Sequence, residues 1–548
     1  RTAERGDGSP GDPAATLAGP GPSVSARSAA PRGNLSETGT DPASRGAAEN
    51  AEFRLGHRHG EGGISTRWLH HTCFRFGDRG HLGLSGAMST PVAAQEYPIP
   101  GGLMVTAPAN LRLLTPYVLT EQGDWFEAEI SYFRRLLQPG MGVVDIGANY
   151  GIYTLTAARA VGPTGWVAAF EPGSLPHACL GQSLQANALP QVELRREALS
   201  NRTGSARLGI AANSELNSLS NEGGEGEEVL LVTLDSAAEA WNRPVDFLKL
   251  DAEGEEIRIL EGATHFFARH DPLVMFELRH STGVNHGLLD GFRHRGFGLY
   301  RLLPGLGVLV PLDPEGEGEP FLLNVFACRP ARAESLRQAG LLVPEPAALP
   351  ASEDESAADV LARWAGHSPW ARALWRRGVP DGAGVWGAIY VQGLADLLRG
   401  EDPARPLAQR WAYLKRALES LGLVVGIEPR PGRQFALTRA ALACGSRKLA
   451  NDCLWGLGES VDVGAWVEEP FLPPVMRLDA LNPAGGTFAD VFAAMRDESL
   501  VESGAFSVYF SAKKLLPVLR RLAGNPLRSA EARRRVDVAR QVFPREMG

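Results

Sequence analysis

Three short segments of the 548-residue chain hold the residue types and spacings that could act on a ligand. In G-V-V-D-I-G-A-N-Y-G, residues 142–151, a buried-strand pattern (Val143, Val144, Ile146) runs into a glycine-bearing turn, and helical apolar spacing begins near Ile152. Strand, turn and helix in that order bring a helix amino terminus and free backbone N–H groups to a ligand. W-V-A-A-F-E-P, residues 166–172, is a second strand ending on Glu171, and its distance from Gly147 suits a βαβ unit of about 30 residues. V-D-F-L-K-L-D-A-E-G-E-E, residues 245–256, carries Lys249 and Asp251 at a strand end and Glu253 just beyond.

The first turn suits two ligand classes. A dinucleotide site calls for G-x-G-x-x-G, whose middle glycine lets the backbone approach a pyrophosphate. Here Ala148 and Asn149 occupy positions outside that fingerprint and the turn glycines are Gly147 and Gly151. That shifts the balance toward a zwitterionic ligand without phosphate, but the turn alone does not decide between the two classes. Glu171 can accept hydrogen bonds from both hydroxyls of a ribose, which either class would carry, so it does not discriminate.

Each remaining candidate also has a structural reading. Lys249 and Asp251 lie two apart on a strand and share a face, so an ion pair holding the strand end and a catalytic role both fit. Glu253 precedes E-E-I-R-I-L-E-G-A and either caps that helix or enters the site. His280, just past the strand L-V-M-F-E-L (273–278), is placed for a base or for solvated surface, and Glu277 for a ligand or a backbone donor. Asp251 with Glu277 would be the pair for a divalent ion, but no ligand spacing demands one, and none is expected.

Positioning these residues requires an α/β sheet. Further strands are read at Val192–Leu194, Asp246–Asp251 and Leu273–Leu278, and in F-G-L-Y-R-L-L and F-L-L-N-V-F-A-C, with helices such as L-P-H-A-C-L-G-Q-S-L-Q-A-N-A between them. That order implies a mainly parallel, Rossmann-like sheet with helices on both faces and a ligand at the carboxyl ends of its strands. Residues 204–232 read as an inserted hairpin whose tip, G-G-E-G-E-E, is either a substrate lid or solvated decoration.

The organisation along the chain follows. Residues 1–87 are rich in Gly, Pro, Ala, Ser and Arg without an apolar period, and are expected to be disordered. Ordered-looking sequence starts at Met88, which reads as a native start with translated upstream sequence before it. A transit peptide is the rival, disfavoured by Glu4, Asp7, Asp12 and Glu37. His57, His59, His70 and His71 lack a scaffold to hold a metal. Residues 88–138 are lead-in elements, 139–330 the α/β domain, 331–356 a linker and 357–548 a mostly α-helical domain. In the last, D-V-L-A-R-W-A-G, A-L-W-R-R-G, V-Q-G-L-A-D-L-L-R-G and R-W-A-Y-L-K-R-A-L-E-S-L-G read as amphipathic helices. Phe435–Leu457 reads as a tetratricopeptide-like helix pair without a repeating period. The tryptophans of this half are assigned to core and its late basic run (Lys513, Lys514, Arg520, Arg521, Arg533–Arg535) to a solvated face, with an anionic partner as the alternative.

Composition excludes several classes. Fifty-five basic against 63 acidic residues leave a formal charge of −8, against a nucleic-acid groove. No apolar run of about 18 residues suggests a transmembrane segment. Five scattered cysteines suggest neither disulfides nor zinc, and a reducing cytoplasmic setting is expected.

D-I-G-A-N-Y-G and L-K-L-D-A-E-G-E-E together resemble the FkbM family of S-adenosylmethionine-dependent methyltransferases, whose members read D-x-G-A-N-x-G after strand one and I-K-I-D-x-E-G-x-E after strand four. The resemblance extends from about Tyr117, through T-E-Q-G-D-W-F-E-A-E-I, A-F-E-P, V-T-L-D and M-F-E-L, to N-V-F-A near Ala327. It implies a class I methyltransferase fold with an added antiparallel strand, S-adenosyl-L-methionine as cofactor, and O-methylation of a hydroxyl on a sugar, glycan or secondary metabolite. Carried over residue by residue, Asp145, Gly147, Ala148, Asn149 and Gly151 would line the methionine and ribose end. Glu171 would hold the ribose diol and Asp251 would lie close to the sulfonium. Glu253 and His280, with Asp251 behind them, are the candidates to take the acceptor proton. A nicotinamide-linked oxidoreductase, and a non-catalytic scaffold that binds S-adenosylmethionine and recruits a protein partner through the helical domain, are the alternatives.

Overall fold

The computed structural model describes residues 93–211, 213–220, 226–280, 283–376, 384–458 and 469–548. The expectations placed on residues 1–92, among them the start at Met88 and the histidines, lie outside them. An antiparallel pair, β1 (Ala94–Ile99) and β2 (Leu103–Pro108), precedes the main sheet. That sheet begins with β3 (Gly142–Ile146), β4 (Trp166–Phe170) and β5 (Val192–Arg195), and is interrupted by β6 (Glu197–Leu199), β7 (Gly204–Gly209), β8 (Ser218–Ser220) and β9 (Gly226–Val232). It resumes with β10 (Phe247–Leu250) and β11 (Leu273–Glu277). The short β12 (Arg279–His280) and β13 (Gly283–Val284) follow, then β14 (Gly298–Leu303), β15 (Val308–Pro311) and β16 (Asn324–Cys328).

The eight strands of the main sheet lie in the order β15-β14-β16-β11-β10-β3-β4-β5. From β5 to β11 all pairings are parallel, whereas β16, β14 and β15 are antiparallel additions. The mainly parallel sheet is as the sequence implies, with three antiparallel strands at its edge. The parallel strands are apolar on both faces because both are covered. Val143, Phe247, Leu273 and Met275 enter one core, and Val144, Ile146, Leu248, Leu250, Val274 and Phe276 the other. The exceptions on the first face are Asp145 and Lys249, which are register partners across β3 and β10. Here the chain departs to β4 on one side and returns to β10 on the other, so a crevice opens at the carboxyl ends of these strands.

The insertion before β10 is more than a hairpin. β7 pairs antiparallel with β8 and β9, and β9 runs parallel to β6, forming a second, four-stranded sheet. Residues 221–225, part of the expected loop, lie outside the described residues.

The helical region packs directly on the sheet edge. Leu303, Val308 and Val310 share a core with Tyr390, Leu394, Leu414 and Leu421. Tyr117, in the helix Leu114–Gln122, is fully buried among Trp370, Phe471, Phe492 and Leu519. The Phe435–Leu457 pair exists as the helices Pro431–Cys444 and Arg447–Gly456, broken at Gly445 (φ 81°), with Ala440, Ala441 and Ala450 buried.

Four readings need correction. The segment 331–356 does not begin as a linker, because Pro330–Gln338 is helical. A-L-W-R-R-G is not a helix of its own: the helix Pro369–Leu374 ends before Trp375, and residues 377 and 378 lie outside the described ones. Trp386 and Trp455 are exposed, while Trp370, Trp375 and Trp411 are buried. The late basic run is not simply solvated. Arg535 is buried against Glu121 at 3.7 Å, Arg521 pairs with Asp497 at 3.0 Å, and Arg534 donates to the carbonyls of Glu121 and Gln122 at 2.7 and 2.8 Å. Long-range partners on the helix Leu114–Gln122 and the helix Phe488–Ser503, invisible in local charge spacing, take up these guanidiniums.

Candidate functional site

The turn after β3 is built from left-handed backbone. Gly147 (φ 78°) and Gly151 (φ 88°) have no alternative residue: a Cβ on the first would strike the carbonyl of Asp251, and on the second the side chain of Leu180. Asn149 adopts the same region (φ 46°), a conformation asparagine tolerates better than most. Its N–H donates to Glu171 Oε2 at 2.8 Å, and Gly173 N–H donates to Oε1 at 2.8 Å. Glu171 therefore ties the turn to the end of β4. Burial pushes its carboxyl up to about 7, although both N–H donors favour its charged form.

Beneath the turn, Asp145 is buried and accepts the Thr154 hydroxyl at 2.5 Å. Lys249 Nζ lies 3.9 Å from Asp145 Oδ1 and 2.7 Å from Asp251 Oδ2, over the ring of Tyr153. The same-face spacing of Lys249 and Asp251 thus produces an ion pair. Burial works against the ammonium, but Asp251 and Asp145 outweigh it and hold its pKa above the ordinary lysine range. Lys249 is 8% exposed and Asp251 35%, so the lysine anchors the pair from below and the aspartate presents its carboxylate to the crevice.

Beyond β10 the chain turns on Glu253, itself left-handed (φ 47°), and reaches the helix Glu256–Glu261. The expected cap by Glu253 is absent. Glu256 folds back to accept the N–H groups of Ala252 and Gly254 at 2.9 and 3.1 Å, which frees Glu253 to face the crevice. Burial, then Asp251 and Glu256, push the Glu253 carboxyl up to about 9. Glu277 at the end of β11 is pushed well above its usual range by burial and by Asp251 and Glu253. One carboxylate oxygen from each of Asp251, Glu253 and Glu277 falls within 4.8 Å of the others, a grouping that shares protons or takes a cation. The backbone of His280 forms β12 with Arg279; its side chain lies outside the described residues.

The crevice holds about 990 Å³ of open space, counting its mouth. Asp145, Gly147, Ala148, Asn149, Gly151, Glu171, Asp251 and Glu253 all line it. So do residues the motifs did not single out. Glu127 accepts the Tyr153 hydroxyl at 2.6 Å, Glu215 accepts that of Thr115, and Ser214 donates to Asn149 Oδ1 at 2.9 Å. Burial raises the carboxyl pKa of both Glu127 and Glu215. Glu127 belongs to T-E-Q-G-D-W-F-E-A-E-I, and Ser214 and Glu215 to the insertion, but nothing in their local spacing marks them as site residues.

Residues 145–299 match the family model described as the methyltransferase FkbM domain. The chain carries an FkbM methyltransferase domain. Among solved structures, the methyltransferase FkbM from Methylobacillus flagellatus KT is 15% identical over 36% of this chain and 50% of that one, with a TM-score of 0.25. An S-adenosylmethionine-dependent methyltransferase from Aquifex aeolicus is 14% identical over 39% and 92% (TM-score 0.23), and an rRNA methylase from Streptococcus thermophilus 13% over 37% and 93% (TM-score 0.23). The chain thus spans half the length of the first of these. No curated protein matches the chain in sequence. The boundaries of the FkbM methyltransferase domain enclose the turn, Glu171, the Lys249–Asp251 pair and Glu277, whereas Thr115 and Glu127 lie before it.

Proposed function

We propose that the chain transfers a methyl group from S-adenosyl-L-methionine to a hydroxyl of a sugar, glycan or secondary metabolite. The observation that carries this reading is the carboxyl-rich lining of the crevice: Glu127, Asp145, Glu171, Glu215, Asp251 and Glu253 converge on it with Lys249 as the lysine or arginine among its described lining residues, and burial holds several of these carboxyls back from ionising until a cationic partner arrives. Such a site favours a ligand bearing cationic centres and disfavours phosphates. That argues for an ammonium- and sulfonium-bearing ligand over NAD, whose pyrophosphate would face these carboxylates, and against a polyanionic nucleic-acid acceptor.

The donor set fits that cofactor. Glu171 retains acceptor capacity for the two ribose hydroxyls, the turn from Gly147 to Gly151 leaves room for backbone approach, and Asp251 supplies a carboxylate near a sulfonium. When bound, the cofactor supplies an electrophilic methyl. The chain's own residues then have three tasks. Lys249 fixes the orientation of Asp251. The walls hold the acceptor oxygen in line at about 3 Å, so that positioning lowers the barrier. Glu253 or His280 takes the hydroxyl proton, with Asp251 behind them, a contribution of about 10²- to 10⁴-fold.

Calorimetry with S-adenosylhomocysteine, its cationic analogue sinefungin and NAD tests the reading. The first two should bind, sinefungin more tightly, and NAD should not. NAD binding at micromolar affinity would overturn it in favour of the oxidoreductase. Binding without methyl transfer to any hydroxyl acceptor in a panel of sugars and polyketides would favour the non-catalytic scaffold.

A further inference from the structure

A second chamber lies where the sheet edge meets the helical region. It holds about 1750 Å³ of open space, counting its mouth. Its apolar walls are Leu302, Phe321 and Leu322 on the sheet side and Ala443, Val475 and Phe506 on the helical side.

Most of its charged groups are spoken for. Arg439 is paired with Glu401 and Asp479, each at 2.7 Å, and Arg477 with Glu498 and Glu502 at 2.5 and 2.8 Å. Glu319 accepts the N–H groups of Lys448 and Phe321 at 3.0 and 3.2 Å.

Arg447 is different. Its Nε donates to the carbonyl of Ser503, and its Nη2 to those of Glu502 and Ala505, all at 2.8 Å. The rings of Phe321 and Phe506 lie 5.5 and 4.6 Å from the guanidinium. Among the described residues no carboxylate comes within ion-pair distance of it, and its Nη1 has no acceptor. Arg301 also lines the chamber. Its Nη1 is held by the carbonyl of Cys444 at 3.0 Å, its contact with Asp313 is a loose 3.7 Å, and its buried Nε has no acceptor. Glu129, in the same chamber, supplies no countercharge at pH 7. Burial, then Glu127, push its carboxyl up to about 8, so it is mainly a neutral donor.

A guanidinium held in place by backbone carbonyls and aromatic rings, without a carboxylate, lacks the compensation that partly buried charges require. The guanidinium of Arg447, which has no carboxylate partner among the described residues, with a neutral donor nearby, suits a monoanion. A phosphate dianion would meet the carboxylates of Glu319 and Glu502 with too little positive charge to balance it. The apolar walls call for a hydrocarbon or aromatic body.

We propose that this chamber binds an organic monocarboxylate with an apolar body, its carboxylate held by Arg447 Nη1. The site is independent of the methyl-transfer reading. Octanoate is a suitable probe, titrated calorimetrically into the full chain beside octylammonium and octyl phosphate. Octanoate should bind saturably, at least tenfold more tightly than either of the other two. Arg447→Met, which keeps the stem between the rings, should weaken octanoate at least tenfold. Because Arg447 also secures three carbonyls, Leu322→Trp provides a second arm: it fills the chamber without touching the charge and should abolish octanoate binding at an unchanged melting temperature. Absence of saturable octanoate binding, equal binding of octylammonium, or full affinity in a folded Arg447→Met or Leu322→Trp variant would each overturn the proposal.

Discussion

The hydroxyl of Tyr509, in the C-terminal helical region, accepts a hydrogen bond from Asn213 Nδ2 at 2.9 Å and donates to the carbonyl of Arg112 at 3.0 Å. Asn213 Oδ1 in turn accepts the N–H of Leu114 at 3.0 Å. The next residue, Ser214, bonds to Asn149 in the turn, and Asn149 to Glu171. A continuous set of hydrogen bonds and one peptide step therefore joins the helical region to the floor of the crevice.

Tyr509→Phe should loosen that connection without disturbing the aromatic packing of Tyr509 against Tyr117 and Phe510. Losing a neutral hydrogen bond costs about 0.5–1.5 kcal/mol, so S-adenosylhomocysteine should bind roughly 2- to 12-fold more weakly, as read by calorimetry. An unchanged dissociation constant would show that residues 213–217 hold their place without Tyr509.

Cofactor binding should release protons. In the free protein burial pushes the Glu171 carboxyl up to about 7 and that of Glu253 up to about 9, so the first is partly and the second mainly protonated in the neutral range. A ribose bonded to Glu171 and a cationic centre near Glu253 both favour the ionised carboxylates and lower these values. Affinity should rise with pH from about 6 to 8, and calorimetry at pH 7 in buffers of different ionisation enthalpy should register net proton release. Net uptake would contradict the assigned contacts. Glu171→Ala should remove the part of the pH dependence centred near 7 and weaken binding by about 1.5–3 kcal/mol.

Lys249→Met leaves Asp145, which is 1% exposed, without its cationic neighbour. Removing one partner of a buried charge group typically costs about 3–5 kcal/mol. The sign with pH follows from the carboxylates. Without the lysine, the Asp145 pKa in the folded state, already raised by burial, rises further above the unfolded value. The variant's deficit should therefore be small below about pH 4, where both states are protonated, and grow as pH rises through the folded value. Denaturant midpoints of the two proteins at pH 4 and pH 8 measure this. A deficit independent of pH would assign the loss to packing of the lysine stem.

Glu253→Gln or His280→Gln, whichever removes the base, should lower kcat by about 10²- to 10⁴-fold while leaving the S-adenosylhomocysteine dissociation constant within a few-fold. Asp251→Asn should instead weaken cofactor binding. A chelator should leave the rate unchanged if Asp251, Glu253 and Glu277 act as proton-sharing carboxylates. A loss reversed by magnesium or manganese would assign the group to a cation.

Glu121→Ala tests the seam between the two halves. Glu121 is fully buried, accepts the Ser507 hydroxyl and the Val508 N–H (3.1 Å), and faces Arg535 at 3.7 Å. The variant leaves Arg535 with Glu531 as its remaining ion-pair partner. A stability loss of about 3 kcal/mol or more is expected, with a single unfolding transition in the native chain. Two separate transitions in the native chain would show that the halves unfold independently.

Local sequence determines a good deal of this protein. Runs such as Val143–Ile146 and Leu273–Phe276 specify strands buried on both faces, because alternate residues of one strand must enter different cores. Gly147 and Gly151 are required by positive φ angles and close approaches, and the two-residue spacing of Lys249 and Asp251 by itself places them on one face, within reach of each other. These are consequences of backbone period and sterics, which neighbouring residues suffice to set. The tertiary structure decided the rest. Sheet order placed Asp145 beside Lys249, Glu256 displaced Glu253 from the expected cap, and the insertion and the segment before β3 delivered Glu215 and Glu127 to the crevice. Arg535 is buried because Glu121 comes to meet it from more than 400 residues away in the chain. Charge burial and pairing depend on distance in space, and spacing along the chain carries no information about distances that only the packed sheet and helices create.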